Sequence, residues 1–220
     1  MDTTKNSQNR VFLAQAVYTK SVLYHYDTLV GLNARFFWQC SWDKLLCLYN
    51  ENISENHLEV GTGTGYFLDK CRFPVDKPRI ALLDLNPNCL EFTSKRIQRY
   101  NPTTYQANVL EAIPISDKYN SVGLNYVLHC LPGTIPDKAV VFKNLKSLMN
   151  EGGTLFGSTI LGEGVKHNYL GHIVMKNFNK SGTFNNLQDN ISDLKDALEK
   201  NFSKSSIQLI GCTALFTARK

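Results

Sequence analysis

Glu59-Val60-Gly61-Thr62-Gly63-Thr64-Gly65-Tyr66-Phe67 is the most specific local signal in this chain of 220 residues. It follows the short apolar run His57-Leu58-Glu59-Val60, which reads as a buried strand, and Tyr66 to Cys71 then reads as a helix. Glycines at alternate positions directly after a strand let the backbone turn tightly and admit a ligand closer than any Cβ would allow. Further along, Arg79 to Leu85 is a nearly continuous apolar run, as a strand buried on both faces of a parallel sheet requires. It stops at Asn86-Pro87, a helix N-cap followed by proline at the first helical position, and Leu90, Ile97 and Tyr100 supply one face of the next helix.

The alternation continues outward. Thr104 to Val109 and Asn120 to Val127 read as strands, and Pro136 to Met149 as a helix with Ala139, Phe142, Leu145 and Met149 on one face, ended by Gly152-Gly153. Thr154 to Leu161 is a further strand, and Ile191, Leu194, Leu198 and Phe202 mark a last helix. Ser206 to Gly211 and Thr213 to Ala218 then form a tight closing pair of strands. Repeated strand and helix predicts a doubly wound α/β sheet, and the tight terminal pair requires at least one antiparallel strand. Before the glycine loop, Val11 to Tyr49 is rich in aromatics and helical in period, and Gly31 and Asn33 predict a break into two or three short helices. The length suits one domain: residues 1–50 as a helical cap and residues 51–220 as the ligand-binding body, with 162–190, rich in Gly, Asn and Lys, as a lid-like insert over the carboxyl edge of the sheet.

Composition narrows the function. Hydrophobic residues make up 43% and charged residues 20%, which fits a packed globular core and excludes a disordered chain. The net charge of +5 is spread along the length without a basic block, so it is no nucleic-acid footprint. Met1 to Arg10 is polar and no run of about 18 apolar residues occurs, so neither secretion nor membrane spanning is expected. Six scattered cysteines without a CxxC pair read as reduced, buried thiols of a cytoplasmic protein, with no metal site.

The loop spacing selects the ligand. A dinucleotide fingerprint G-x-G-x-x-G would need glycine at position 66, where Tyr66 stands, and no Gly-Lys-Ser/Thr follows for a P-loop. A loop with no phosphate clamp, preceded by Glu59, favours a cationic ligand without a pyrophosphate. Asp84 ends the second strand 19 residues after Gly65, the place from which a carboxylate accepts hydrogen bonds from ribose hydroxyls.

From about His57 to Ala218 the chain resembles the class I S-adenosylmethionine-dependent methyltransferases. Glu59-Val-Gly-Thr-Gly-Thr-Gly65 resembles the family's E/D-x-G-x-G-x-G loop, and Leu82-Leu-Asp-Leu-Asn-Pro87 its acidic second-strand end. Gln106-Ala-Asn-Val-Leu-Glu111 resembles the third-strand adenine motif, Val127-Leu-His-Cys-Leu131 the turn after the fourth strand, and Leu148-Met-Asn-Glu-Gly-Gly-Thr-Leu155 the turn into the fifth. The resemblance implies a Rossmann-like, seven-stranded, mostly parallel sheet with an antiparallel C-terminal strand and an N-terminal helical cap. It implies S-adenosylmethionine as cofactor, held by Glu59, Gly61, Thr62, Gly63, Gly65, Asp84, Leu85, Asn108, Val109 and Asn125. Two positions depart from the pattern: Asn108 stands where Asp is usual, and Ser121 where many members have Asp.

In this family the cofactor carries the activation, so the protein mainly aligns and desolvates. Candidates for direct roles are Asn125 and His129 at the fourth-strand end, the latter as a general base although the family's histidine in this turn is usually structural. Tyr26, in a Tyr26-Asp27 pair resembling one found in small-molecule members, is a candidate to face the sulfonium. The stretch Leu124-Asn-Tyr-Val-Leu128 lacks the N/D-P-P-Y of enzymes that methylate exocyclic amino groups, and Asn125 and Tyr126 replace the acidic residues an aminopropyltransferase would need. The aromatic cap, with Phe36, Phe37, Trp38 and Trp42, suits closure over a small, fairly apolar molecule. The expectation is therefore methylation at O, N or S of a small molecule. The alternatives are an RNA or protein methyltransferase and a cofactor-binding scaffold without turnover.

Overall fold

The structure is a computed structural model that describes Gln15 and residues 18–220. The polar Met1–Arg10 and the expected helix start near Val11 lie outside the described residues. Helix α1 (Lys20–Phe36) starts at Thr19, whose hydroxyl accepts from the Val22 N–H, and α2 (Trp42–Asn52) follows. The break falls later than the sequence suggests. Gly31 and Asn33 lie inside α1, where the Gly31 surface rests on the Trp42 ring, and the chain turns instead at Gln39, whose φ of 56° is left-handed.

Then β1 (Asn56–Val60), α3 (Tyr66–Lys70), β2 (Arg79–Asp84), α4 (Pro87–Arg96), β3 (Thr103–Gln106) and β4 (Tyr119–Asn125) alternate as expected. Strand β3 is shorter than its reading, because Asn108 turns the chain by accepting the Leu110 N–H. Next come α5 (Ile135–Lys138), α6 (Val140–Ser147), β5 (Met149–Ile160), α7 (Tyr169–Ser181), α8 (Ile191–Asn201), β6 (Lys204–Ile210) and β7 (Thr213–Arg219). The helix expected over Pro136 to Met149 is therefore two, divided at Ala139, and Gly152-Gly153 do not end it. Those glycines lie in β5, whose first residue Met149 already pairs with Tyr119 of β4.

The seven strands lie in the order β3-β2-β1-β4-β5-β7-β6. Strands β1 to β5 pair in parallel and β7 runs antiparallel between β5 and β6. Two apolar layers follow from strands buried on both faces. Leu58, Val122, Leu124 and Leu155 face α6 and α8, whereas Leu82, Phe156 and Leu215 face α2 and α4. The strand order reverses between β1 and β4, and the crevice outside the carboxyl ends at such a reversal is where open α/β sheets bind ligands. Among the described residues, no helix is long and apolar enough to cross a membrane.

Candidate functional site

A cavity opens at that switch point. Its walls include the glycine loop 61–65, Glu59, Asp84, Leu85, Asn108, Val109, Asn125 and, from the cap, Tyr26. The structure thus brings together every cofactor-binding residue read from the sequence.

The loop's shape is forced by its glycines. Gly61, Gly63 and Gly65 have φ of 70°, 52° and 71°, in the left-handed region that side chains disfavour. A Cβ on Gly61 would come within 2.2 Å of Val127 Cγ2, and one on Gly65 within 2.6 Å of Thr93 Cγ2, so both are also needed for close packing. Gly63 differs: nothing lies within 4 Å of its missing Cβ. The loop is backed on one side and bare on the other.

Asp84 sets the loop from β2. Its Oδ2 accepts the Thr62 N–H at 2.7 Å and its Oδ1 the Asn86 N–H at 2.8 Å. Burial pushes its pKa up, while these hydrogen bonds, which favour the charged form, pull against that. The carboxylate retains acceptor capacity for a ligand hydroxyl.

A second clasp comes from the cap. Asp27 accepts the Thr64 hydroxyl at 2.5 Å and pairs with the Arg96 guanidinium at 2.5 Å, while Arg96 also donates to the Thr64 carbonyl at 2.9 Å. This fixes α1 over the loop and presents its inner face, with Tyr26 and Val30, to the cavity. The Tyr26 and Tyr18 rings lie 5.5 Å apart. Trp42 and Tyr66 rings, 4.4 Å apart, line the same cavity. Burial raises the Tyr26 phenol's pKa, so it presents a neutral ring.

At the end of β4, Asn125 is buried and lines the cavity; its Oδ1 accepts the Ser158 hydroxyl at 3.0 Å and its Nδ2 has no partner among the described residues. Tyr126 adopts a φ of 54°, a strained conformation for a bulky residue. Asn108 does not present a free amide, since Oδ1 accepts from Leu110 and Nδ2 donates to Glu111 at 2.8 Å. His129 lies elsewhere. It is 3% exposed, packs edge-on against Phe184 of the insert, and does not line the cavity. Burial and the Lys138 charge push its pKa down to about 3, so it is neutral.

Of the cap aromatics, Trp42 lines the cavity, Trp38 is core and Phe36 is 60% exposed. The insert reaches the carboxyl end of β4 beside the cavity: Asn185 N–H donates to the His129 carbonyl at 2.7 Å, and Gly171 of α7 lies against the Phe37 carbonyl. Sequence reasoning missed Tyr18, Tyr49 and Tyr66 as lining residues, and His57 as the partner of Glu59. Strand period was the available signal for His57, since residues two apart share a face.

An orphaned buried amide donor, a bare glycine concavity and a carboxylate at the second-strand end form a chemically suitable cradle for an aminoacyl nucleoside. The comparisons agree. The family described as "Methyltransferase domain" matches residues 58–155. Demethylluteothin O-methyltransferase of Streptomyces thioluteus is 42% identical over 95% of this chain and 92% of its own. Methyltransferase aurB of Calcarisporium arbuscula is 36% identical over 94% and 96%. Among solved structures, DhpI in complex with SAH aligns with a TM-score of 0.67 at 14% identity, covering 97% of this chain and 98% of that one. At that identity the likeness speaks for the fold.

Proposed function

Since the chain belongs to the class I S-adenosylmethionine-dependent methyltransferases, we propose that it uses S-adenosylmethionine to methylate a heteroatom, oxygen foremost, of a small and largely apolar molecule. The observation that carries this reading is the glycine cradle between Asp84 and Asn125, bare at Gly63 and covered by an aromatic cap. When bound there, S-adenosylmethionine supplies an electrophilic methyl carbon on a sulfonium.

The chain's own part is alignment and exclusion of water. Asp84 offers acceptor capacity to the ribose hydroxyls, and the Asn125 Nδ2 donor and loop N–H groups suit the amino-acid end. Tyr26, with Tyr18 and Trp42 around it, offers ring faces that attract a desolvated cation. The oxygen preference follows the relatives: besides the luteothin enzyme, an Aspergillus chevalieri protein named for physcion biosynthesis is an O-methyltransferase, 34% identical over 93% of this chain. The insert 162–190 acts in this reading as a lid whose base rests on the cap. The reading extends to a reducing cytoplasm, in which the six free cysteines, four of them buried, stay reduced.

The test is methyl-labelled S-adenosylmethionine offered with a panel of small phenols, enols, amines and thiols, alongside RNA and unfolded protein. Label transfer to small molecules, insensitive to moderate salt, is expected. Transfer confined to RNA or protein, or falling steeply with salt as phosphate contacts do, would overturn the reading.

A further inference from the structure

Beneath the glycine loop a chain of side-chain hydrogen bonds runs from the cavity wall across the sheet. Tyr49 donates its hydroxyl to Glu59 Oε1 at 2.5 Å, and Glu59 Oε2 meets His57 Nε2 at 2.9 Å. His57 Nδ1 meets Ser121 Oγ at 2.9 Å, and Ser121 Oγ meets Ser54 Oγ at 2.9 Å while accepting the Ser54 N–H at 2.9 Å. Tyr49 and Glu59 line the cavity, His57 is fully buried, and Ser54 is half-buried at the opposite end. The packing is specific to this pair. The His57 ring lies nearly parallel to Phe156, 5.8 Å away, and a Cβ on Gly123 would fall 2.4 Å from Glu59 Oε2 and 3.2 Å from His57 Cε1.

Ser121 decides what this arrangement can do. With neutral His57, Nε2–H donates to Glu59 and the Ser121 hydroxyl donates to Nδ1. With His57 protonated, Nδ1–H donates to Ser121 Oγ and the Ser121 hydroxyl turns to Ser54 Oγ, whose own proton is directed to the Asn56 carbonyl at 3.0 Å. Both protonation states are fully hydrogen-bonded, which is uncommon for a buried histidine. The other ionisable groups packed around the pair are Tyr49 from α2 and Cys71 after α3. Burial raises the pKa of both, that of Cys71 to about 12, so both are neutral. β2, β4 and β5 contribute Ile80, Ser121, Gly123 and Phe156, none of them charged.

We infer that His57 is a positioning residue that sets the charge of the cavity wall, so that a cationic ligand displaces a proton from the His57–Glu59 pair when it binds. The inference rests on the proposed cofactor. The protonated pair is neutral overall and the deprotonated pair carries one negative charge. S-adenosylmethionine, with a sulfonium, is one positive charge richer than its demethylated product. Ligand cation and pair proton therefore compete, and the competition is weaker for the product.

Calorimetric titration of the full chain with S-adenosylmethionine and with S-adenosylhomocysteine, in two buffers of different ionisation enthalpy between pH 5 and 7, reads the protons released. Imidazole titration by NMR in the ligand-free protein locates them. Expected are release of a fraction of a proton with the sulfonium ligand, less with the product, and affinity for the former rising roughly tenfold over the interval in which the NMR titration shows the imidazole losing its proton. His57→Gln, whose amide still donates to Glu59, binds comparably but loses the proton release and the pH slope; Ser121→Ala reduces both. Equal slopes in the wild type and His57→Gln, or equal proton release with both ligands, would overturn the inference. Failure of the wild type to bind either ligand would instead overturn the cofactor reading beneath it.

Discussion

The half of the molecule around β1, β2 and β4 and the half around β5, β7, β6 and the insert are built on different principles. In the first, function follows from local backbone geometry: Gly61 and Gly65 stand where a Cβ would strike Val127 or Thr93, and Asp84 reaches the Thr62 N–H from the next strand end. In the second, position follows from long-range contacts. The Cys212 N–H donates to the Trp38 carbonyl at 2.9 Å, and the insert is tied down by Lys138, which donates to Asp189 at 2.6 Å and to the Asn185 carbonyl at 2.7 Å. In the proposed function, a motif written in consecutive residues makes the site for the cofactor. A set of distant partners makes the proposed enclosure for the acceptor.

Breaking the latch separates the two halves most strongly. Lys138 and Asp189 are both fully buried, and burial opposes the charge on each, raising the Asp189 pKa to about 6 despite its partner. Asp189→Asn leaves the lysine without a counter-charge and is expected to cost about 3–5 kcal/mol in urea unfolding, while cofactor affinity of the folded fraction changes little. Gly61→Ala addresses the other half. Strain at positive φ plus the clash with Val127 is expected to cost about 3 kcal/mol, read as about a hundredfold loss of cofactor affinity.

Asp84→Ala sharpens the comparison further, because it removes the group that sets the loop and is proposed to hold the ribose. The expected loss in cofactor binding is about 1–3 kcal/mol by calorimetry. Unchanged binding would contradict the ribose assignment. The last comparison concerns His129, on the insert side, whose effect is absent at neutral pH and grows only in acid. The fold keeps it neutral down to about pH 3, whereas the unfolded chain takes up its proton near pH 6.5. The unfolded state then binds more protons, so His129's contribution is complete above about pH 6.5 and is lost as pH falls towards 3, by at most about 1.4 kcal/mol per pH unit. His129→Gln is expected to flatten the acid limb of stability against pH by that amount, with cofactor binding unaffected.

The same division explains what could be read from the sequence. The alternation of strands and helices, the antiparallel closing pair and the gathering of Glu59 to Asn125 around one cavity were legible, because apolar runs and glycine spacing are local properties. The end of α1 was not: Gly31 survives inside the helix because Trp42 packs on it, and only tertiary contact decides that. Helix α7, its docking on Phe37, the displacement of His129 from the cavity and the His57–Ser121 bond all depend on partners more than 50 residues apart in the chain. Asn108 was legible as an acceptor by residue type, yet the turn it builds uses its amide for Leu110 and Glu111.

Whether the glycine cradle binds S-adenosylmethionine is read by calorimetric titration of the purified protein with S-adenosylmethionine, S-adenosylhomocysteine and NAD. Saturable binding of the first two at one site per chain, weakened by Asp84→Ala, and none of NAD, is expected. Binding of NAD in their place, or of no ligand at all, would contradict it.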